Sequence, residues 1–271
     1  MAPTDAGYLN FMPDRTPLFC CEKLTKNFGG LKAVDGVDLQ VSEGAILGLI
    51  GPNGAGKTTL FNLISGVYPL DAGGFSLRGE NLTGLPPHKI KKKGISRTFQ
   101  QSRLILNLSV YDNLFIGMLE GFHSWFGDSL LFRSRFKKEL KKAIEKANQL
   151  LSQFNPELAG KGFLPVSEIS QIDRRRLEIC RALATKPALL LLDEPSAGMS
   201  PEESSELMVD LRRIREDEYR QLSIILVEHD MAVIEDITDR VIALNYGKKI
   251  AEGTFEEVSQ NEELKEAYLG R

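Results

Sequence analysis

Apolar and polar positions change their period twice along the chain and divide it into three stretches. From about Leu18 to Leu77, short apolar runs alternate with turns. A strand begins near Leu18 and a second covers Val37–Val41, with the turn-prone Phe28-Gly29-Gly30 between them. Ala45–Ile50 is a continuous apolar run and is expected to be a buried parallel strand. A glycine-rich loop and a helix from about Lys57 to Ser65 follow, then a further strand over Gly73–Leu77. The Pro86-Pro87 pair blocks helix before it and starts one after it, which predicts a short basic helix from His88 to Lys93.

From Leu108 to about Ile179 the pattern turns helical. Phe136, Leu140, Ile144, Ala147, Leu151 and Phe154 recur at helical spacing along one face of a segment spanning Arg133–Phe154. Lys137, Lys138, Lys141 and Lys142 fall largely on the other face, open to two readings: a partner-binding surface, or the solvated back of a core stripe. Strand–helix alternation resumes after Cys180. Strands are expected at Ala188–Leu192, Ser223–Val227, Arg240–Asn245 and Lys248–Ala251, and helices at Glu202–Glu216 and Met231–Asp236. This order predicts an α/β fold: a parallel-rich core sheet, an N-terminal antiparallel β portion and a helical subdomain inserted near residues 108–180. One domain is expected over 17–271, behind a loose, flexible extension of residues 1–16.

Composition narrows the function classes. A chain of 271 residues buries enough surface to need no disulfides. Its net charge of −3 gives no global case for nucleic acid or an anionic membrane. Cys20, Cys21 and Cys180 lack metal-type spacing and suit a reducing cytoplasm. The longest apolar runs fall far short of the roughly 20 residues that cross a bilayer. The N-terminus, with Asp5 and Asp14, shows no export-signal pattern. Work at a membrane is therefore expected to run through docking to another chain.

Two segments carry the chemistry. Gly51-Pro52-Asn53-Gly54-Ala55-Gly56-Lys57-Thr58, with Thr59 next, matches G-x-x-x-x-G-K-[ST] in a strand–loop–helix context. The glycines let consecutive N–H groups curl toward phosphate oxygens, and the following helix adds its positive end. Lys57 is expected to reach the β- and γ-phosphates and Thr58 to ligate Mg²⁺. Far downstream, the apolar run Leu189–Leu192 ends in Asp193-Glu194-Pro195. Such a strand delivers two carboxylates to the carboxyl edge of the sheet: Asp193 for Mg²⁺, and Glu194 as general base toward the attacking water.

With these residues the chain, from about Leu18 to Leu269, resembles the ATP-binding-cassette ATPases. The resemblance implies further roles. Gln100, in Thr98-Phe99-Gln100, matches the glutamine that touches Mg²⁺ and senses the transmembrane partner. His229 matches the switch histidine at the γ-phosphate, Ser196–Met199 the loop that crosses the dimer interface, and Phe28 the aromatic that stacks on adenine. Asn27–Val34, Gly84–His88, Gly94–Gln100 and the terminal Ala267-Tyr268-Leu269-Gly270 are most similar to the larger ATPase of branched-chain amino-acid importers. Amide or urea importers and lipopolysaccharide exporters share much of this vocabulary. ATP and Mg²⁺, a second cassette subunit, a transmembrane permease and, indirectly, an external solute-binding protein are the implied cofactors and partners. The implied place is peripheral, at the cytoplasmic face of the inner membrane. Leu104, Ile105 and Leu106 are candidates for permease docking, and the basic stretch His88–Lys93 with Arg97 either faces the membrane side or is solvated.

One departure stands out. Where the family has Leu-Ser-Gly-Gly-Gln ahead of Arg175-Arg176-Leu177-Glu178-Ile179, this chain has Ile169-Ser170-Gln171-Ile172-Asp173. Family cassettes pair head to tail, so this segment would face the partner's ATP. Ile172 is expected to hold phosphate off and Asp173 to repel it. A heterodimer with one competent site, on this chain's own phosphate loop, is the resulting expectation; a weakly hydrolysing regulator is the alternative.

Overall fold

The computed structural model describes residues 17–98, 103–118, 133–217 and 219–269. The chain opens with β1 (Pro17–Phe28) and β2 (Leu31–Ser42), paired antiparallel across the Gly29-Gly30 turn. Both strands are longer than the sequence suggests. Register shifts between Cys21 and Leu24 and again before Lys26 interrupt the period-two alternation that marks a strand. With β4 (Ala72–Leu77) and β5 (Glu80–Asn81) they form a four-stranded antiparallel sheet in the order β2-β1-β4-β5.

The second sheet holds six strands in the order β10-β9-β3-β8-β7-β6. Its centre is β3 (Ile46–Ile50), parallel to both β8 (Ser223–Val227) and β9 (Arg240–Asn245). β7 (Leu189–Asp193) extends it, and β10 (Lys248–Gly253) pairs antiparallel with β9. The other edge is β6 (Ile95–Arg97), three residues with no readable periodicity, which the sequence did not reveal as a strand. β3, β7 and β8 are buried along their whole length, as parallel strands covered on both faces must be.

Alternate residues of these strands enter two separate cores. Leu189 and Leu191 of β7 join Leu47, Leu49, Ile225 and Val227, which pack with α1 (Lys57–Ile64) against the antiparallel sheet. Leu190 and Leu192 join Ile224, Leu226 and Val241 against the helices on the other side. Those helices include α4 (Arg133–Phe154), α6 (Gln171–Leu183), α7 (Pro201–Asp217) and α8 (Met231–Ile237). The described elements between 110 and 183 are helices and turns: α3 (Val110–Met118), α4, α5 (Pro156–Gly160) and α6. On α4, Ala147, Leu151 and Phe154 are buried while Lys137, Lys138, Lys141 and Lys142 are exposed, so its apolar stripe is core and its basic face meets solvent. α2 (Pro87–Lys93), α9 (Phe255–Ser259) and α10 (Glu262–Leu269) complete the chain. Cys20, Cys21 and Cys180 are free thiols, and among the described residues no helix is long and apolar enough to cross a membrane.

Candidate functional site

Strand register brings the candidate residues to one edge. Asp193 at the end of β7 and Leu49 near the end of β3 both pair with Val227, the last residue of β8. The chain leaving each of these strands therefore emerges at the same level: Gly51 after β3, Glu194 after β7, and Glu228 and His229 after β8.

The phosphate loop follows β3 and runs into α1, whose N-cap is Gly56 with φ 103°. No side chain caps this helix, so its first N–H groups are left for an incoming acceptor. A Cβ at Gly51 would lie 2.2 Å from the Leu244 carbonyl oxygen, and one at Gly56 2.4 Å from that of Ala33, so neither position admits a side chain. Lys57 folds back into its own loop, its Nζ donating to the carbonyl oxygens of Gly51 (2.5 Å) and Pro52 (3.0 Å). Burial pushes the Lys57 ammonium below its ordinary pKa, and the carboxylates of Glu194 and Asp193 oppose that shift. Asn53, Gly54 and Thr58 are exposed, Pro52 and Thr59 half-buried, and Ala55 buried.

Glu194 leaves β7 with φ 49°, a left-handed backbone that costs a non-glycine residue and concentrates at functional sites. Its Oε1 lies 2.7 Å from His229 Nε2, a hydrogen bond whose direction depends on the tautomer. Ser196 donates its N–H (2.8 Å) and hydroxyl (2.7 Å) to Glu228 Oε1, tying the loop that begins at Ser196 to the residue before His229. Burial pushes the Glu228 carboxyl up, while hydrogen bonds from Ser196 and the His229 N–H hold it down.

Asp193 is buried, and its Oδ2 accepts from Arg97 at 2.7 Å. Arg97 also donates to Asn62 (2.6 Å) and Ser65 (3.3 Å) and lies over the Phe61 ring. The Arg97 side chain is 6% exposed, so it neither faces the membrane side nor is solvated: it braces the metal candidate. Asp193 Oδ1 is buried with no hydrogen-bond partner. An orphaned carboxylate oxygen on Asp193 and the exposed Thr58 in the phosphate loop suit Mg²⁺, which takes few protein ligands and relies on phosphate and water for the rest. No cluster of three or more His, Cys, Asp or Glu able to hold a metal occurs among the described residues. Gln100, the other metal candidate, lies outside the described residues.

Phe28 ends β1 as a ring 43% exposed, edge-on to Tyr68 at 5.4 Å with Lys26 Nζ 5.6 Å away. Tyr68 escaped the sequence reading because nothing in its neighbours marks it. Leu104 is buried at 8% exposed, whereas Ile105 and Leu106 are 48% and 45% exposed. Only the latter two are accessible for docking; Leu104 belongs to the core.

The start of α6 differs from the sequence expectation. Ser170 is its N-cap, accepting from the Asp173 N–H at 3.2 Å. Asp173 does not point outward to repel phosphate: it is buried between Lys161 (2.8 Å) and Arg176 (3.2 Å). Arg176 continues the network to Asp210 and Glu206 on α7. Ile172 is 7% exposed, so its side chain packs inward rather than standing over the helix start. The exposed residue of this turn is Gln171, whose Nε2 donates to the Gly198 carbonyl at 3.1 Å.

A glycine-lined loop between a central parallel strand and an uncapped helix, with an acidic pair at the end of a neighbouring strand, defines a P-loop nucleoside triphosphatase. Comparison with known proteins narrows the class. The profile of the family described as ABC transporter matches residues 34–197. The high-affinity branched-chain amino acid transport ATP-binding protein BraF of Pseudomonas aeruginosa is 37% identical over 255 residues, which cover 94% of this chain and 98% of that protein. The same transport protein of Escherichia coli, LivG, is 37% identical over 94% of this chain and 98% of its own length. The lipopolysaccharide export system ATP-binding protein LptB of Haemophilus influenzae is 34% identical over 93% of this chain and 97% of its own. Among solved structures, a nucleotide-free ATP-binding cassette from an ABC transporter superposes with TM-score 0.81 at 28% identity, covering 94% of this chain and 100% of that one. The chain belongs to the ABC transporter family, as one of its ATP-binding, ATP-hydrolysing cassettes.

Proposed function

We propose that this chain powers import of branched-chain or related amino acids through a separate membrane permease, from the cytoplasmic face of the membrane. The observation that carries the hydrolytic part is the meeting of Lys57, Asp193, Glu194 and His229 at one sheet edge. The solute is supported by the relatives BraF and LivG, which are branched-chain amino acid transport ATP-binding proteins. We take residues 17–271 as a single cassette, with its helical part near 108–180.

In this reading N–H groups of the loop between Asn53 and Thr59 hold the phosphates, and Lys57 exchanges the Gly51 and Pro52 carbonyls for phosphate oxygens. Phe28 offers its exposed ring to adenine. Glu194 takes a proton from the attacking water, and the His229 hydrogen bond orients it. Asp193, fixed by Arg97, and Thr58 would hold Mg²⁺ together with Gln100, and the chemistry it would supply there is neutralisation of charge on the phosphates.

Ile105 and Leu106 are proposed to meet the permease, and a second, different cassette is the proposed partner. The partner argument rests on Gln171, which is exposed in the otherwise largely buried first turn of α6 and is committed to Gly198 of its own chain. In head-to-tail pairing that turn faces the partner's nucleotide. A solute-binding protein outside the membrane supplies the solute, and nucleic acid has no part.

The test is reconstitution of the chain with its permease and partner cassette in proteoliposomes. ATP-dependent uptake of leucine, isoleucine or valine, abolished by Glu194→Gln, is expected. ATP hydrolysis with no such uptake would contradict the importer reading and favour an export role like that of the lipopolysaccharide relative.

A further inference from the structure

The terminal Ala267-Tyr268-Leu269-Gly270 motif has no part in the function proposed above, yet the fold brings its Tyr268 to the phosphate loop. The Gly51 N–H donates to the Tyr268 hydroxyl at 3.0 Å, across 217 positions of sequence. α10, which carries Tyr268, is anchored by buried Leu264 and capped by Asn261, whose Oδ1 accepts from the Leu264 N–H at 2.9 Å. It packs beside β9, the neighbour of β3, and β10, which pairs with β9.

The Gly51 peptide is under unusual constraint. Its φ of 146° is open only to glycine, and the residue is pressed against the Leu244 carbonyl of β9. Two side chains grip it, one on each polar group. Lys57 Nζ donates to its carbonyl oxygen at 2.5 Å, and Tyr268 accepts from its N–H. Burial raises the Tyr268 hydroxyl above its ordinary pKa, and the Gly51 N–H opposes that shift.

We propose that Tyr268 is a positioning residue for nucleotide binding, holding Gly51, the first residue of the phosphate loop, by its N–H once Lys57 has left its carbonyl. The proposal rests on the nucleotide-site reading above. Phosphate and the Gly51 carbonyl compete for the same ammonium. When phosphate takes Lys57, the Gly51 carbonyl loses that partner and the Tyr268 bond, on the peptide before it, becomes the remaining side-chain grip on Gly51. A Gly51 free to turn about its own backbone would swing the following N–H groups away from the phosphates. The C-terminal helix thereby forms part of the nucleotide site, though it contributes nothing to the motif itself.

Tyr268→Phe keeps the ring and removes the acceptor. Calorimetric titration of the full chain with Mg-ADP should show affinity about three- to tenfold weaker, the range of one lost hydrogen bond. In the hydrolysing assembly KM for ATP should rise by the same factor, with kcat within about twofold. The nucleotide-induced rise in Tm should shrink as well, whereas a merely structural tyrosine would lower Tm equally with and without nucleotide.

In a Lys57→Ala background the carbonyl lacks its partner in both states, so the Tyr268→Phe effect on Mg-ADP affinity should largely vanish. Unchanged affinity for Tyr268→Phe, with wild-type binding intact, would overturn the role of Tyr268 alone. A full-sized effect in the Lys57→Ala background would overturn the relay through Gly51. No Mg-ADP binding by the wild-type chain would overturn the nucleotide-site reading, and this proposal with it.

Discussion

The two helix starts that matter most, α1 and α6, keep their shape by different means. α1 is held by backbone: no side chain caps it, and Gly51 and Gly56 sit where a Cβ would strike a carbonyl oxygen. α6 is held by side chains: Ser170 caps it, and Asp173 is locked to Lys161, Arg176 and, through Arg176, to α7. A backbone-held site has a rigid sequence requirement, because only glycine fits. A side-chain-held helix start can drift in sequence while its geometry persists. The segment Ile169–Asp173 therefore departs from the family pattern without the outward charge that the departure suggests.

Breaking the first region should show mainly in catalysis. Glu194→Gln is expected to lower ATP turnover by about 10²–10⁴-fold while leaving nucleotide binding in place, as measured by phosphate release and equilibrium binding. Unaltered turnover would mean that the proton goes elsewhere.

Breaking the second should show in stability. Arg176→Met removes the buried guanidinium between Asp173 and Asp210, leaving them only Lys161 and Arg213 as cationic partners, and should destabilise the chain by about 3 kcal/mol, read by denaturant unfolding. Mg-ADP affinity, governed by the phosphate loop, should stay within about twofold. Equal losses in both would erase the distinction between the two regions. The smallest effect is expected at Phe28→Ala, where losing a stacking ring should weaken Mg-ADP by about 0.5–1.5 kcal/mol.

The same contrast explains what the sequence discloses. The phosphate loop, the long apolar strands and the acidic end of β7 are legible because each is a local pattern with one physical meaning. The parallel core with an antiparallel N-terminal portion follows from their order. Arg97 was misjudged because its partner Asp193 is 96 residues away and its strand, β6, has only three residues. Ile172 and Asp173 were misjudged because sequence alone does not say which way a side chain at a helix start turns. Leu104 looked equivalent to Ile105 and Leu106 for the same reason, yet it alone is buried. Tyr268 was visible only as part of a terminal motif; its hydrogen bond to Gly51 is a product of the fold.

The central claim is that this chain carries a competent phosphate-loop site completed by the α6 turn of a different cassette. Steady-state ATPase activity of the purified chain, alone and co-expressed with a second cassette subunit, tests it most directly. Activity that appears only with the partner, and is lost on Glu194→Gln in this chain, is the result the account predicts. Comparable activity for the chain alone would contradict it, because the Gln171 turn would then serve a second copy as well as a partner.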